Sequence, residues 1–208
     1  GIRMFCVHKK TVVEDFSSVD LQRLIFDLRR VNLFFQSPPP CAMGSLSALA
    51  GVDLSDRELE RISRRLKTEP GAPRCDAEVV GIVGDVPDFY YRILNPPELT
   101  GYFWIEGLSP LELYNALVAE GIHAPELLHA EAVGVCCICM GWNWAPWISQ
   151  NLLETILQES VPEFSAENSL KHAHPPPDLQ PVEKQNVDAV CAHLEYIDDF
   201  GGVVVQQR

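Results

Sequence analysis

The segment that most constrains the fold lies near the C-terminus, where an apolar run, an acidic turn and Gly-Gly-Val-Val-Val follow one another over residues 191–205. Strand, turn and strand in this order predict a tight β-hairpin. Asp198 and Asp199 then lie side by side at its tip, where two like charges repel each other unless a cation lies between them. The pattern therefore predicts a metal site at the tip of a hairpin.

Length and composition limit the class of protein. At 208 residues, with 47% hydrophobic and 22% charged side chains, the chain can bury the core of a globular domain. It has no run of about 18 apolar residues and no charged-then-apolar leader, so we expect neither a membrane span nor a signal peptide. We therefore expect an intracellular protein, cytoplasmic or nuclear, with no membrane partner.

Charge is divided unequally along the chain. Residues 1–75 carry 12 Lys and Arg against 9 Asp and Glu, whereas residues 76–208 carry 4 against 20. Proteins that grip nucleic acid along their length present a basic face, because the neutralised phosphates supply much of the affinity. This balance argues against strong nucleic-acid binding by this chain alone.

Seven cysteines, an odd number spread along the chain, indicate a reducing compartment. Cys136 and Cys139 form a Cys-x-x-Cys pair that could bind zinc together with Cys191 and His193. The alternative is that these cysteines act as small hydrophobic side chains of a core strand, because the pair lies within the apolar run at residues 133–140.

Alternating and β-rich residues predict the strands of an α+β fold. The first two of these strands would form an N-terminal hairpin, joined by a polar connection through Ser17 and Ser18. Together with the acidic hairpin, the predicted strands are residues 3–10, 22–27, 77–83, 101–106 and 133–140.

Three segments, residues 55–67, 110–119 and 145–159, have the apolar spacing of amphipathic helices. Ser55 and Glu58 match a capping box at the start of the first. The outer face of that helix is basic and is either solvated or in contact with a phosphate backbone. The basic residues of this face are Arg57, Arg61, Arg64, Arg65 and Lys67.

Four further features carry candidate chemistry. Asp85 ends an apolar strand and opens the segment Asp-Val-Pro-Asp-Phe-Tyr-Tyr-Arg. Gly141 permits close backbone approach, and Pro146 suits the first turn of the helix that follows it. Near the N-terminus, the segment Arg-Leu-Ile-Phe-Asp-Leu-Arg-Arg begins at Arg23, and Phe-Cys-Val-His-Lys-Lys precedes it at residues 5–10.

Together these segments resemble the reverse transcriptases of retroelements, of the retroviral and LTR-retrotransposon type. Tyr-Ile-Asp-Asp at 196–199 matches the hairpin signature of that family, and residues 85–93 resemble its first aspartate motif. Residues 139–150 look like its Gly-x-x-x-(Ala/Ser)-Pro-x-x-x-Gln segment. Residues 5–10 and 23–32 are similar to its fingers motif.

The resemblance implies a polymerase palm, an antiparallel sheet backed by helices, with a β-hairpin fingers region. Residues 1–76 would form the fingers with a helical insertion, and residues 77–208 the palm. The polar, proline-rich residues 160–188 would be a disordered insertion. Asp27 and Arg29 would hold the fingers together. A thumb and an RNase H region would follow in a longer parent polyprotein.

By the same resemblance, Asp85, Asp198 and Asp199 would be catalytic and would bind two Mg²⁺ ions together with Val86. Mn²⁺ is the alternative ion. The ions would bridge the triphosphate of a dNTP and the 3′-hydroxyl of a primer, on an RNA or DNA template.

Five residues would bind the incoming nucleotide by this resemblance. Lys9 and Arg23 would hold the triphosphate. Met140 and Gly141 would lie at the nucleotide, although Met140 departs from the glutamine or phenylalanine usual in the family. Tyr90 would exclude a ribose 2′-hydroxyl, and the alternative for Tyr90 is a core tyrosine.

The expected function is template-directed transfer of dNTPs to a primer 3′-hydroxyl, with the three aspartates converging on the metals. Two alternatives stay open. One is a catalytically inactive relic or adapter that retains the palm fold, which the acidic C-terminal two thirds and Met140 favour. The other is an acidic metal-binding module unrelated to polymerases. We expect this fragment alone to extend primers poorly or not at all.

Overall fold

Strands and helices are mixed along the part of the chain that the computed structural model describes, which is residues 1–14, 17–66, 77–161, 163–177, 179 and 189–207. The strands of this part are β1 (Arg3–Glu14), β2 (Ser17–Asp27), β3 (Ala77–Asp85), β4 (Ala189–Tyr196) and β5 (Asp199–Gln207). The α-helices are α1 (Leu46–Leu49), α2 (Asp56–Ser63), α3 (Phe89–Arg92), α4 (Pro97–Thr100), α5 (Pro110–Ala119) and α6 (Ala145–Ser160).

The chain divides into two compact units, each assembled from two separate stretches. Unit 1 consists of residues 1–38 and 88–145, and unit 2 of residues 39–87 and 146–208. Each unit contains one antiparallel sheet, β1-β2 in unit 1 and β3-β5-β4 in unit 2. The predicted α+β class is confirmed. The assignment of residues 1–76 to fingers and 77–208 to a palm stays a prediction.

In unit 1, β1 and β2 form the predicted N-terminal hairpin. The pairing runs from Arg3 opposite Asp27 to Glu14 opposite Ser17, with an irregularity between His8 and Lys10. The strands are longer than predicted, because the polar residues expected to connect them also pair. At the base of the hairpin, Arg29 donates from Nε to Asp27 Oδ1 at 2.9 Å and from Nη2 to Asp27 Oδ2 at 2.7 Å.

The core of unit 1 contains an aromatic cluster in which Phe35, Phe103 and Trp142 contact one another edge to face or stacked, at centroid distances of 5.2 to 6.3 Å. The predicted strands at 101–106 and 133–140 are wrong, because only single bridges join these segments to a partner, one of them Trp104 to Gly134. Five of their apolar residues are nevertheless buried, namely Phe103, Ile105, Cys137, Ile138 and Cys139. An apolar run alone cannot distinguish a strand from buried irregular structure.

In unit 2, β5 lies between β3 and β4, and α1 and α2 contribute to a buried cluster on the sheet. Val190, Ala192 and Leu194 alternate along β4 and belong to this cluster, as the period of two in a strand requires. Strand β3 is not a buried strand, although its mostly apolar residues 77–83 favour burial, since Val83 is 90% exposed.

The segment after α6 belongs partly to the core of unit 2. Phe164, Leu170 and Leu179 are buried, and the Phe164 ring stacks on His193 of β4 at 4.7 Å. The prediction of a disordered surface insertion is therefore wrong for these residues. Residues 180–188 of the predicted insertion lie outside the described residues.

The three predicted helices are confirmed as α2, α5 and α6, although α2 is shorter than expected. The predicted capping box on α2 is wrong. Ser55 makes no side-chain cap, and its backbone N–H donates to Asp53 Oδ1 at 2.9 Å, while Glu58 pairs with Arg61 instead.

The basic face of α2 is partly neutralised within the protein. Arg61 also donates to the Leu179 carbonyl at 2.8 Å, and Arg64 pairs with Glu60. Because these contacts already occupy Arg61 and Arg64 within the protein, they favour the alternative of a solvated helix face over contact with a phosphate backbone for these two arginines. Lys67 lies outside the described residues.

Candidate active site

The acidic turn joins β4 to β5 as predicted. Tyr196 pairs with Asp199, so the loop of the hairpin consists of Ile197 and Asp198. Ile197 has a φ of 61°, whereas Asp198 has no positive φ. A positive φ at the first loop residue alone is typical of a type II′ turn, in which glycine is the favoured residue.

The sheet of unit 2 brings the third aspartate to this turn. Asp85 is the last residue of β3 and lies opposite Asp199 in the register with β5. The backbone N–H of Val86 donates to the Asp198 carbonyl at 2.8 Å, which holds the chain beyond β3 against the turn. All four predicted metal-site residues therefore lie at one end of one sheet.

The charges at this end of the sheet act on one another. The pKa of Asp199 is raised, first by partial removal from water and then by the negative charges of Asp198 and Asp85. The two like charges disfavour ionisation of Asp199, and an opposite charge close by would favour it. A cation bound between these carboxylates would therefore offset their repulsion.

The donor chemistry of this corner suits a hard cation, since Mg²⁺ prefers carboxylate oxygens. Asp85 and Asp199 are exposed and Asp198 is partly exposed, so an ion can reach them from solvent. Among the described residues, however, no group of three or more His, Cys, Asp or Glu side chains could hold a metal ion as it stands. The backbone converges, and the side chains do not form a closed ligand set.

A cavity of about 770 Å³ borders the turn in unit 2. Its walls come from residues 44–49 and from all three strands, and they include Tyr196 and Asp199. Most of the lining residues are apolar or glycine, so the aspartate corner adjoins an apolar recess. The tip of the sheet is thus open on this side.

Gln150 of α6, the last residue of the segment at 139–150 that resembles the reverse transcriptase motif, contacts the turn directly, and this contact was not predicted from the sequence. Its side chain is fully buried and accepts a hydrogen bond from the Ile197 backbone N–H at 2.9 Å. The available signal was a polar residue at an apolar position of an amphipathic helix. Such a residue requires hydrogen-bond partners inside the protein.

The candidate nucleotide-binding residues lie in unit 1. Lys9 and Arg23 are exposed on the β1-β2 hairpin, Lys9 at the irregularity of the register and Arg23 opposite Val7. Both basic side chains are accessible for binding an anion because both are exposed. Arg23 also acts on Tyr91, whose pKa is raised by burial and by Cys137 and lowered by the positive charge of Arg23.

Gly141 adopts a φ of +102°, a backbone conformation that favours glycine. Asn32 holds the turn around it, donating to the Gly141 carbonyl at 3.0 Å and accepting from the Asn143 N–H at 3.0 Å. Met140 is 47% exposed beside this turn. Tyr90 is only 9% exposed, which is the burial that a core tyrosine shows.

The zinc alternative is not supported by His193. Burial raises the pKa of Cys139 and of Cys191 to about 12, as is typical of thiols packed among apolar side chains. Both ring nitrogens of His193 are engaged, Nδ1 with Glu195 at 2.5 Å and Nε2 with the Ser165 carbonyl at 2.8 Å. Since a carbonyl only accepts, Nε2 carries a proton and cannot bind a metal.

Comparison with known proteins identifies no family. No protein-family model matches the chain. A search of curated proteins likewise finds no significant match. Within the described ranges, every helix falls short of the length or the hydropathy that a membrane span requires.

Proposed function

We propose that the chain carries the fingers and palm of an RNA-directed DNA polymerase, with the sheet of unit 2 in the palm and the β1-β2 hairpin as part of the fingers. The observation that carries the proposal is the register of the unit 2 sheet. It sets Asp85 at the end of β3 opposite Asp199, with Asp198 in the adjoining turn. Three carboxylates on two strand ends can share divalent cations.

In this proposal, Asp85, Asp198 and Asp199 hold two Mg²⁺ or Mn²⁺ ions, and the backbone of Val86 completes the corner. When bound, the ions supply the positive charge that activates the primer 3′-oxygen and neutralises the departing pyrophosphate. The protein's own contribution is position, because the backbone bond from Val86 to Asp198 ties the two strand ends together.

Lys9 and Arg23 bind the triphosphate of the dNTP in this proposal. Both are exposed cations on an antiparallel hairpin, and the guanidinium can bind two phosphate oxygens at once. Met140 and Gly141 contribute the surface of the turn to the nucleotide. Tyr90 excludes the ribose 2′-hydroxyl.

Titration with Mn²⁺, followed by the electron paramagnetic resonance of the free ion, tests the metal site. We expect the chain to bind Mn²⁺, and we expect Asp85→Asn, Asp198→Asn and Asp199→Asn each to weaken binding about tenfold or more. The matched control is Asp88→Asn, which removes an exposed carboxylate just beyond the corner and should bind as the parent chain does. Equal binding by all four variants would contradict the proposal.

The same titration in the presence of a dNTP separates the polymerase from the two alternatives. A polymerase fragment should bind Mn²⁺ and dNTP cooperatively, and Arg23→Gln should remove the cooperativity while leaving Mn²⁺ binding intact. Mn²⁺ binding without any effect of dNTP would instead favour the inactive relic or the acidic metal-binding module.

A further inference from the structure

The side chain of Gln150 connects helix α6 to the β4 side of the acidic turn. Oε1 accepts from the Ile197 N–H at 2.9 Å, and Nε2 donates to the Glu195 carbonyl at 2.9 Å. Ile197 is the first residue of the loop, and Glu195 lies two residues before it on β4. One amide therefore bridges the strand and the loop that carries Asp198.

The partners decide which way the amide faces. The Ile197 N–H can only donate and the Glu195 carbonyl can only accept, so the oxygen must face Ile197 and the nitrogen must face Glu195. The second proton of Nε2 goes to Glu154 Oε1 at 2.8 Å, one helical turn further along α6. Only an amide offers two donors and an acceptor without charge, and Gln150 uses all three functions.

Glu154 is itself held in place by Lys171. The Lys171 Nζ lies 2.7 Å from Glu154 Oε2, and both side chains are largely buried, at 26% and 15% exposure. Partly buried charge-assisted hydrogen bonds of this kind are stronger than neutral ones. A chain of contacts thus runs from Lys171 through Glu154 and Gln150 to the backbone of the turn.

The turn needs such support because Ile197 is held in a left-handed backbone conformation. A β-branched residue rarely adopts a φ of 61°, and its relaxation would move the backbone that carries Asp198. We propose that Gln150 is the positioning residue of the carboxylate site, holding Ile197 in this conformation and thereby setting the spacing of Asp198 and Asp199. The inference rests on the proposed metal site and adds a residue that acts on it without touching the ions.

Two measurements on the whole chain test this role. In the variant Gln150→Met, the methionine side chain has a shape similar to that of glutamine but forms none of the three hydrogen bonds. We expect it to weaken Mn²⁺ binding about tenfold and to speed amide exchange at Ile197 at least about tenfold. Gln158→Met makes the same substitution at the other glutamine of α6 and should change neither quantity.

If Gln150→Met does not fold, Lys171→Met gives a second variant. It leaves the contacts of Gln150 to the turn in place but removes the cation that fixes Glu154, so we expect Mn²⁺ binding to weaken about threefold. Unchanged Mn²⁺ affinity in folded Gln150→Met, with the parent chain binding Mn²⁺, would overturn the positioning role while the metal site stands. A parent chain that binds no Mn²⁺ would overturn the proposed function itself, and the inference with it.

Discussion

Ile197 shows how much of the candidate site depends on a single backbone angle. Its φ of 61° places a β-branched side chain where glycine is favoured, next to the first of the two adjacent aspartates. Such strain persists only where surrounding contacts hold it, and here the contact to its N–H comes from Gln150. Residues held in this way cluster at functional sites.

The strain at Ile197 predicts an unusual order of stability for two variants. Ile197→Gly and Ile197→Ala both remove the side chain, but only glycine relaxes at positive φ. We therefore expect the glycine variant to be more stable than the alanine variant by about 1 kcal/mol in urea unfolding. In regular secondary structure an alanine variant is normally more stable than a glycine variant. If Ile197→Ala were the more stable variant, the left-handed conformation at this position would not be maintained.

The raised pKa of Asp199 predicts a gain in stability when its charge is removed. A carboxyl whose pKa is higher in the folded state than its ordinary value of 3.8 destabilises the folded state when it is ionised. In metal-free buffer we therefore expect Asp199→Asn to raise the free energy of unfolding near pH 7. The gain should disappear as the pH falls through the raised pKa of Asp199 and below 3.8.

Urea unfolding of the two proteins across this pH range measures the effect. With saturating Mn²⁺ the order should reverse, because a cation that binds the folded state stabilises it and the variant lacks one ligand. A variant less stable than the parent at neutral pH without metal would contradict the electrostatic account of the corner.

The elements of unit 2 show that the aspartate turn depends on segments distant in sequence. The carbonyl of Glu195 on β4 accepts from the Gly44 N–H at 2.7 Å as well as from Gln150. Leu170, in the segment after α6, donates its backbone N–H to the His193 carbonyl at 2.7 Å. Strand β4 is therefore held by the region before α1, by α6 and by the segment after α6.

The burial of Leu170 predicts a large effect in a segment whose composition resembles that of a loop. Leu170 is 1% exposed in the cluster beneath the sheet, so Leu170→Ala should lower the free energy of unfolding by about 2–4 kcal/mol. Leu111→Ala, at a leucine that is 56% exposed, should lower it by less than about 1 kcal/mol. Similar values for both variants would show that this segment is not part of the core.

At the scale of the whole molecule, local patterns predicted many of the elements. Both hairpins and the three longer helices follow from alternation, helical spacing and turn residues, each of which acts over a few neighbouring positions. The failures lie where burial depends on distant partners. The apolar run at 133–140 became irregular core, and the polar segment that contains Leu170 became buried.

The candidate site divides in the same way. The position of Asp198 and Asp199 at the tip of a hairpin follows from the sequence, because strand propensity and turn chemistry are local. Long-range packing places Asp85 opposite Asp199, joins residues 39–87 to 146–208 in unit 2, and brings Gln150 to the turn. Register between distant strands and the partners of a buried amide are set by packing, and packing depends on the whole chain.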